Sequence, residues 1–237
     1  MDTLWQIVKP WAYMGVSVYY LVVTIIQLVA AGDLKTLQSW EAFNDTWFGN
    51  LWSFIGPRSR AEGEKWVAPL LEGRVKAGRI SYSGGGRPID GVVLEIGAGS
   101  GMWTQVLADV TNAAKSSADR SAPAKIYGVE PNPISAAALK RRVEQVGLSG
   151  TYEVLPVGIE DLQKETSIKA GSVDCIMTVQ CLCSIPEPEK NIRLLYEYLK
   201  PGGRWYVYEH VRAEQGLLTP MFQRTYYFQV ASETDSK

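Results

Sequence analysis

Between Val92 and Thr104 the chain reads V-V-L-E-I-G-A-G-S-G-M-W-T. An apolar, β-rich run from Val92 to Leu94 reaches an acid, Glu95, and then breaks into glycines at alternate positions, Gly97, Gly99 and Gly101, with Ala98 inside the loop. A helix-compatible segment follows. A strand that ends in a glycine turn and feeds a helix brings backbone close to a ligand, with no side chains in the way. Glu95 can receive such a ligand's ammonium group, directly or through water. The dinucleotide fingerprint G-x-G-x-x-G requires glycine where Met102 stands, which disfavours a nicotinamide-dependent oxidoreductase. A purely structural turn is the alternative, to be weighed against what lies downstream.

From Val92 onward strands and helices alternate. Strands are expected at 92–96, 125–130, 152–157, 173–179 and 204–211, with helices at 102–110, 134–146 and 187–199. The polar stretch 111–124 reads as a surface insertion, and Pro201-Gly202-Gly203 as a turn. This alternation predicts an α/β fold: a parallel sheet with helices on both faces.

Composition narrows the function classes. With 24 Lys+Arg against 25 Asp+Glu, and no basic stripe interleaved with aromatics, nucleic acid is not an expected partner. The three cysteines, Cys175, Cys181 and Cys183, form neither a disulfide framework nor zinc spacing, which fits a reduced, cytosol-facing domain. His210 is the single histidine, so no metal site is expected.

Positions 10 to 32 carry no charge and are long enough to cross a bilayer as a helix. Trp5, Trp11, Tyr13, Tyr19 and Tyr20 supply aromatics suited to the interface. A membrane anchor is expected; a signal anchor, a buried core helix and a shallow in-plane segment are the alternatives. The flanking charges do not set its orientation. Residues 34–72 repeat aromatics at spacings of three and four, predicting one or two helices that either pack on the domain or cover a substrate pocket near the membrane. Residues 73–90, with glycines at 84–86, read as a flexible connection. The expected division is an anchor at 1–33, an aromatic helical segment and linker at 34–90, and a ligand-binding domain at 91–237.

The E-x-G-x-G-x-G stretch resembles motif I of the class I S-adenosylmethionine-dependent methyltransferases, which have a Rossmann-like fold. The L-K-P-G-G run at 199–203 is similar to the stretch before their fifth strand. The resemblance implies S-adenosylmethionine as cofactor, with Gly97, Ala98, Gly99 and Gly101 shaping its loop and Glu95 meeting the methionyl ammonium. Strand two ends in G-V-E-P-N, so Glu130, flanked by Pro131 and Asn132, is the implied ribose ligand, an exposed strand-end acid without a role being the alternative. Glu130 lies further on than the usual ~20 residues, and the insertion at 111–124 accounts for the excess. After strand three, Glu160 or Asp161 suits the adenine amino group, with helix capping as the rival role. After strand four, T-V-Q-C-L-C-S-I-P, including Thr178 and Gln180, is where the methionyl end and the acceptor would meet.

A closer resemblance lies in F-N-D-T-W-F…F-I-G-P, S-V-D-C-I-M-T-V-Q-C-L-C-S-I and L-K-P-G-G-R-W-Y-V-Y-E-H-V. These segments look like the membrane-associated methyltransferase-like proteins of the thiol methyltransferase type. That family implies a small lipophilic thiol acceptor, residence on endoplasmic reticulum or lipid droplets, and a catalytic domain facing the cytosol. Related enzymes methylate oxygen, nitrogen or carbon. A thiol, with a pKa of about 8.5, loses its proton easily. His210 is either the general base or a hydrogen-bonded strand-end residue without chemistry. Cys181 and Cys183 read as structural thiols, since direct transfer needs no enzyme nucleophile.

Class I domains carry seven strands, the last two forming a hairpin. The 26 residues after Val211, with an aromatic stretch at 221–230, leave room for a helix and not for that hairpin. The final hairpin is therefore expected to be absent, leaving strand five as an edge. A non-catalytic membrane protein that keeps a degenerate form of the fold and acts through partners is the remaining alternative; the sequence names no protein partner.

Overall fold

The computed structural model describes residues 2–81, 85–116 and 121–210, in two compact units that divide between Lys65 and Trp66. The first unit is helical: α1 (Asp2–Ala31), α2 (Leu34–Gln38) and most of α3 (Trp40–Leu71). Asp33 caps α2, its carboxylate accepting from the Thr36 amide at 3.1 Å and the Thr36 hydroxyl at 2.7 Å. Side chains bridge α1 and α3. The Trp47 indole donates to the Ser17 carbonyl at 3.0 Å, and Asn50 Nδ2 donates to Thr24 Oγ1 at 2.9 Å and Gln27 Oε1 at 3.0 Å. Within α1, Trp11–Ala31 is long and apolar enough to span a membrane, and most of its apolar side chains are exposed, Ile26 at 61%, while Leu28 is buried.

In the second unit, Val67 and Leu71 at the end of α3 are fully buried. The described residues of the connection at 73–90 are more regular than its glycines suggest. They hold a hairpin, β1 (Val75–Lys76) and β2 (Arg79–Ile80), closed by Ala77 and Gly78, both at positive φ, as a tight right-twisted hairpin requires. The main sheet follows with β3 (Gly91–Ile96), β4 (Pro123–Val129), β5 (Tyr152–Leu155), β6 (Val173–Val179) and β7 (Leu199–Tyr208). All pairs are parallel and the order is β5-β4-β3-β6-β7, so the winding direction reverses between β3 and β6. That reversal opens a crevice at the carboxyl ends of the strands, where ligands of open α/β sheets bind.

Helices α4 (Thr104–Lys115), α5 (Pro133–Gln145), α6 (Leu162–Glu165) and α7 (Pro188–Tyr198) alternate with these strands. Val93, Leu107, Ile126, Leu139, Cys175 and Met177 pack on one face of the sheet; Leu94, Ile96, Leu162, Ile176 and Leu195 pack on the other. Each of the larger fully buried apolar side chains contributes about 1.5–3 kcal/mol.

Among the boundaries that depart from the sequence reading, two have a clear physical reason. Helix α4 runs on through Lys115 into the polar stretch 111–124, whose composition reads as a surface insertion, because Thr111 and Ala114 are buried on the same face as Leu107 and Val110. Pro201-Gly202-Gly203 does not precede β7 but bulges within it. Leu199 pairs with Val173, Arg204 with Cys175, and Gly202 takes a φ of 78°. The aromatic stretch at 221–230 and the expected absence of a final hairpin lie outside the described residues.

Candidate functional site

The glycine loop sits where β3 ends, in the crevice beside β6. Its three glycines all take positive φ: 63° at Gly97, 56° at Gly99 and 87° at Gly101. They differ in what surrounds them. A Cβ on Gly97 would lie 2.5 Å from Cys181 Cβ on the loop after β6, and one on Gly101 would press on Arg142 and Leu139 of α5. Above Gly99 the nearest atom would be 4.0 Å away, in the loop itself. The outer two glycines are thus demanded by packing, and above the middle one the backbone is left uncovered. The Ala98 amide donates to the Val129 carbonyl at 3.2 Å, and Thr104 Oγ1 to the Gly101 carbonyl at 2.8 Å, fixing the loop to β4 and to the start of α4.

Glu130, at the end of β4, is nearly buried and closes on this loop. Its Oε2 accepts from the Gly99 amide at 2.8 Å and its Oε1 from the Asn132 amide at 3.0 Å. Asn132 caps α5, its Oδ1 accepting from the amides of Ile134 at 2.9 Å and Ser135 at 3.0 Å, while Pro131 is exposed between them. Glu95 lies in the sheet at 2% exposure. Its Oε2 accepts from the Tyr152 hydroxyl at 2.5 Å, and its Oε1 is buried with no hydrogen-bond partner. Burial raises its carboxyl to about 7, against the lowering effect of the Tyr152 hydrogen bond.

The remaining candidates stand around the same edge. Glu160 Oε1 accepts from Asn191 Nδ2 of α7 at 2.9 Å, and Asp161 pairs with Lys164 at 3.2 Å. Neither side chain caps the helical turns it begins. Thr178 is fully buried and accepts from the Trp205 indole at 3.0 Å. Gln180 adopts a φ of 54°, unusual for a residue with a side chain, and its Oε1 is buried without a partner. His210, exposed just after β7, hydrogen-bonds Cys183, which raises the imidazole and lowers the thiol. Cys181 is buried, and burial together with nearby Glu209 pushes its thiol up.

Sequence reasoning missed two residues. Glu209 accepts from the amides of Cys181 at 3.2 Å and Leu182 at 3.4 Å, holding the loop after β6. Tyr152 reaches Glu95 from two strands away. A lone glycine inside β4, Gly128, was the available signal, because strand glycines mark close approach. Tyr196 and Lys200 stand at the Tyr-x-x-x-Lys spacing of some oxidoreductases, but Lys200 is bound to Asp174 and the Tyr196 ring packs edge-on against Trp205. Among the described residues no group of three or more His, Cys, Asp or Glu is arranged to hold a metal.

The family model of the methyltransferase domain matches residues 70–233 of the chain. The chain belongs to the S-adenosylmethionine-dependent methyltransferases. S-adenosylmethionine is accordingly the cofactor of the domain, and the fold is Rossmann-like. Among individual relatives, this methyltransferase is 32% identical over 101 residues to thiol S-methyltransferase TMT1B of Rattus norvegicus, an alignment covering 42% of this chain and 40% of that protein. It is 31% identical over 91 residues to thiol S-methyltransferase TMT1A of Homo sapiens, covering 38% and 36%. The matches thus span less than half the length of either relative. Among solved structures, a SAM-dependent methyltransferase from Aquifex aeolicus superposes with a TM-score of 0.39 at 18% identity, covering 59% of this chain and 70% of that one.

Proposed function

We propose that this methyltransferase transfers a methyl group from S-adenosylmethionine to a small lipophilic thiol. The observation that carries the reading is the pair of acids around one glycine loop: Glu130 bound to the Gly99 amide, and Glu95 with a buried, unpartnered oxygen. An unpaired buried carboxylate oxygen costs free energy unless a cation completes it, and a methionyl ammonium would do so. In this reading Glu95 takes the ammonium and Glu130 the ribose hydroxyls, since each carboxylate oxygen can accept more than one hydrogen bond. Gly97, Ala98, Gly99 and Gly101 shape the loop. Pro131 and Asn132 hold Glu130 at the head of α5, Glu160 or Asp161 receives the adenine amino group, and Thr178 and Gln180 face the methionyl end.

When bound, the cofactor supplies an electrophilic methyl on a sulfonium. The acceptor's sulfur forms the new carbon–sulfur bond as the sulfonium–methyl bond breaks, giving a methyl thioether and S-adenosylhomocysteine, while the thiol proton leaves to a base. We assign that base to His210, whose bond to Cys183 strengthens its hold on a proton. The protein's share is alignment of sulfur and methyl and exclusion of water.

Thiol specificity is supported by the partial likeness to the two thiol S-methyltransferases. Membrane attachment is supported by the outward-facing apolar side chains of α1, with the anchor at 1–33, the aromatic segment at 34–90, and the domain that follows facing the cytosol on endoplasmic reticulum or lipid droplets. The test is calorimetric titration of the full chain with S-adenosylmethionine and S-adenosylhomocysteine, followed by methyl transfer to matched small thiols, phenols and amines. Saturable cofactor binding with turnover of thiols alone is expected. A folded chain that binds neither compound overturns the enzymatic reading, and turnover of phenols or amines instead of thiols overturns the acceptor class.

A further inference from the structure

Strand β4 has one glycine in its sequence, Gly128, which registers opposite Glu95 on β3 and Val154 on β5. A Cβ there would lie 2.1 Å from the Tyr152 hydroxyl. The tyrosine ring occupies the space that a side chain on β4 would fill. From the first residue of β5 it crosses β4 and donates to Glu95 at 2.5 Å, with its own ring buried at 4% exposure. Three strands are thus joined through one hydroxyl, and the arrangement works only with glycine in the middle.

We propose that Tyr152 is a positioning residue for cofactor recognition: it holds the Glu95 carboxylate by one oxygen, so that the other meets the ammonium of S-adenosylmethionine. This rests on the role given to Glu95 above. A merely structural role explains the arrangement poorly, because a carboxylate in mid-sheet with one neutral donor weakens a fold that an apolar pair would strengthen. Tyr152 on β5 and Glu130 at the end of β4 are the titratable groups acting on this pair, and β6 opposes Glu95 with uncharged Met177. Tyr152 offsets part of the burial effect on Glu95 and so extends downward the pH range in which the carboxylate is charged.

Tyr152→Phe keeps the ring that fills the gap over Gly128 and deletes only the hydroxyl. In ligand-free protein, a carbon-13 NMR titration of the Glu95 carboxyl should show a midpoint near 7 that rises in Tyr152→Phe. S-adenosylhomocysteine binding, followed by calorimetry between about pH 6 and 8.5, should weaken about tenfold at neutral pH in this variant and recover as the pH rises. Glu95→Gln should bind weakly with little dependence on pH, and adding Tyr152→Phe to it should cost nothing more. Saturable binding by the wild type with an unchanged pH profile in Tyr152→Phe overturns the inference and leaves the cofactor site standing. No binding by the wild type overturns both. An unchanged Glu95 midpoint overturns the link between the two residues whatever the ligand does.

Discussion

The two ends of the sheet treat their acids in opposite ways. At the amino end, Asp174 accepts from Lys200 Nζ at 2.8 and 2.9 Å and from the Val92 amide at 2.8 Å, while Asp90 pairs with Arg204 and, at 3.6 Å, with Arg87. Burial pushes Asp174 up, but Lys200, the Val92 amide and Arg204 outweigh it and hold the carboxyl below its usual range. At the carboxyl end Glu95 has one phenol, no cation and an empty oxygen, and burial wins. One end supplies each acid with its cation. The other end leaves a buried oxygen without a partner, the place that the proposed function gives to the cofactor's ammonium.

The largest expected effect comes from removing the acid that links loop and sheet. Glu130→Ala deletes two hydrogen bonds to a charged acceptor, and calorimetry should show cofactor affinity falling on the order of 100-fold. Next is Glu95→Gln, which tests whether the ligand end is held at a cost. An acid whose folded-state pKa is raised from 4.5 to about 7 binds its proton more tightly when folded, so wild-type stability should fall as pH rises through that window and level off above it. Glu95→Gln should abolish the decline and stabilise the ligand-free protein at pH 8 by roughly 2–3 kcal/mol, read from urea denaturation. At the amino end the sign reverses. Asp174, held low, contributes stability above its unfolded value that is lost as pH falls through its folded one, and Asp174→Asn should cost only about 0.5–1 kcal/mol because solvent screens both partners. It should leave cofactor affinity unchanged; a large loss would break the contrast between the two ends. The smallest effect is at the surface: Cys183→Ser should lower the titration midpoint of His210, followed by its proton NMR signals.

Much of this fold was legible because local and tertiary signals agreed. Strand β6 matches its predicted span residue for residue, since V-D-C-I-M-T-V is buried on both faces and bounded by turn residues. The glycine loop was legible for the same reason: its positive φ angles allow little else. The end of α4 was hidden, because Thr111 and Ala114 look like loop residues until burial makes them a helix face. At the site, the two acids could be found from their places at strand ends, but their hydrogen bonds could not. Tyr152 and Glu95 are 57 positions apart, and only the order β5-β4-β3 brings the phenol over Gly128. Asp174 and the Val92 amide, 82 positions apart, meet through the pairing of β3 with β6.

The bond from the Gly99 amide to Glu130 also bears on timing. With that bond and the Ala98–Val129 hydrogen bond already made in the ligand-free chain, the proposed site is expected to need no reordering of its loop when cofactor arrives. Encounter is then followed by no slow ordering step. Stopped-flow association should be a single exponential whose rate rises linearly with cofactor concentration, without the plateau of a conformational gate. Differences in affinity among variants of the site would then reside in how fast the cofactor leaves.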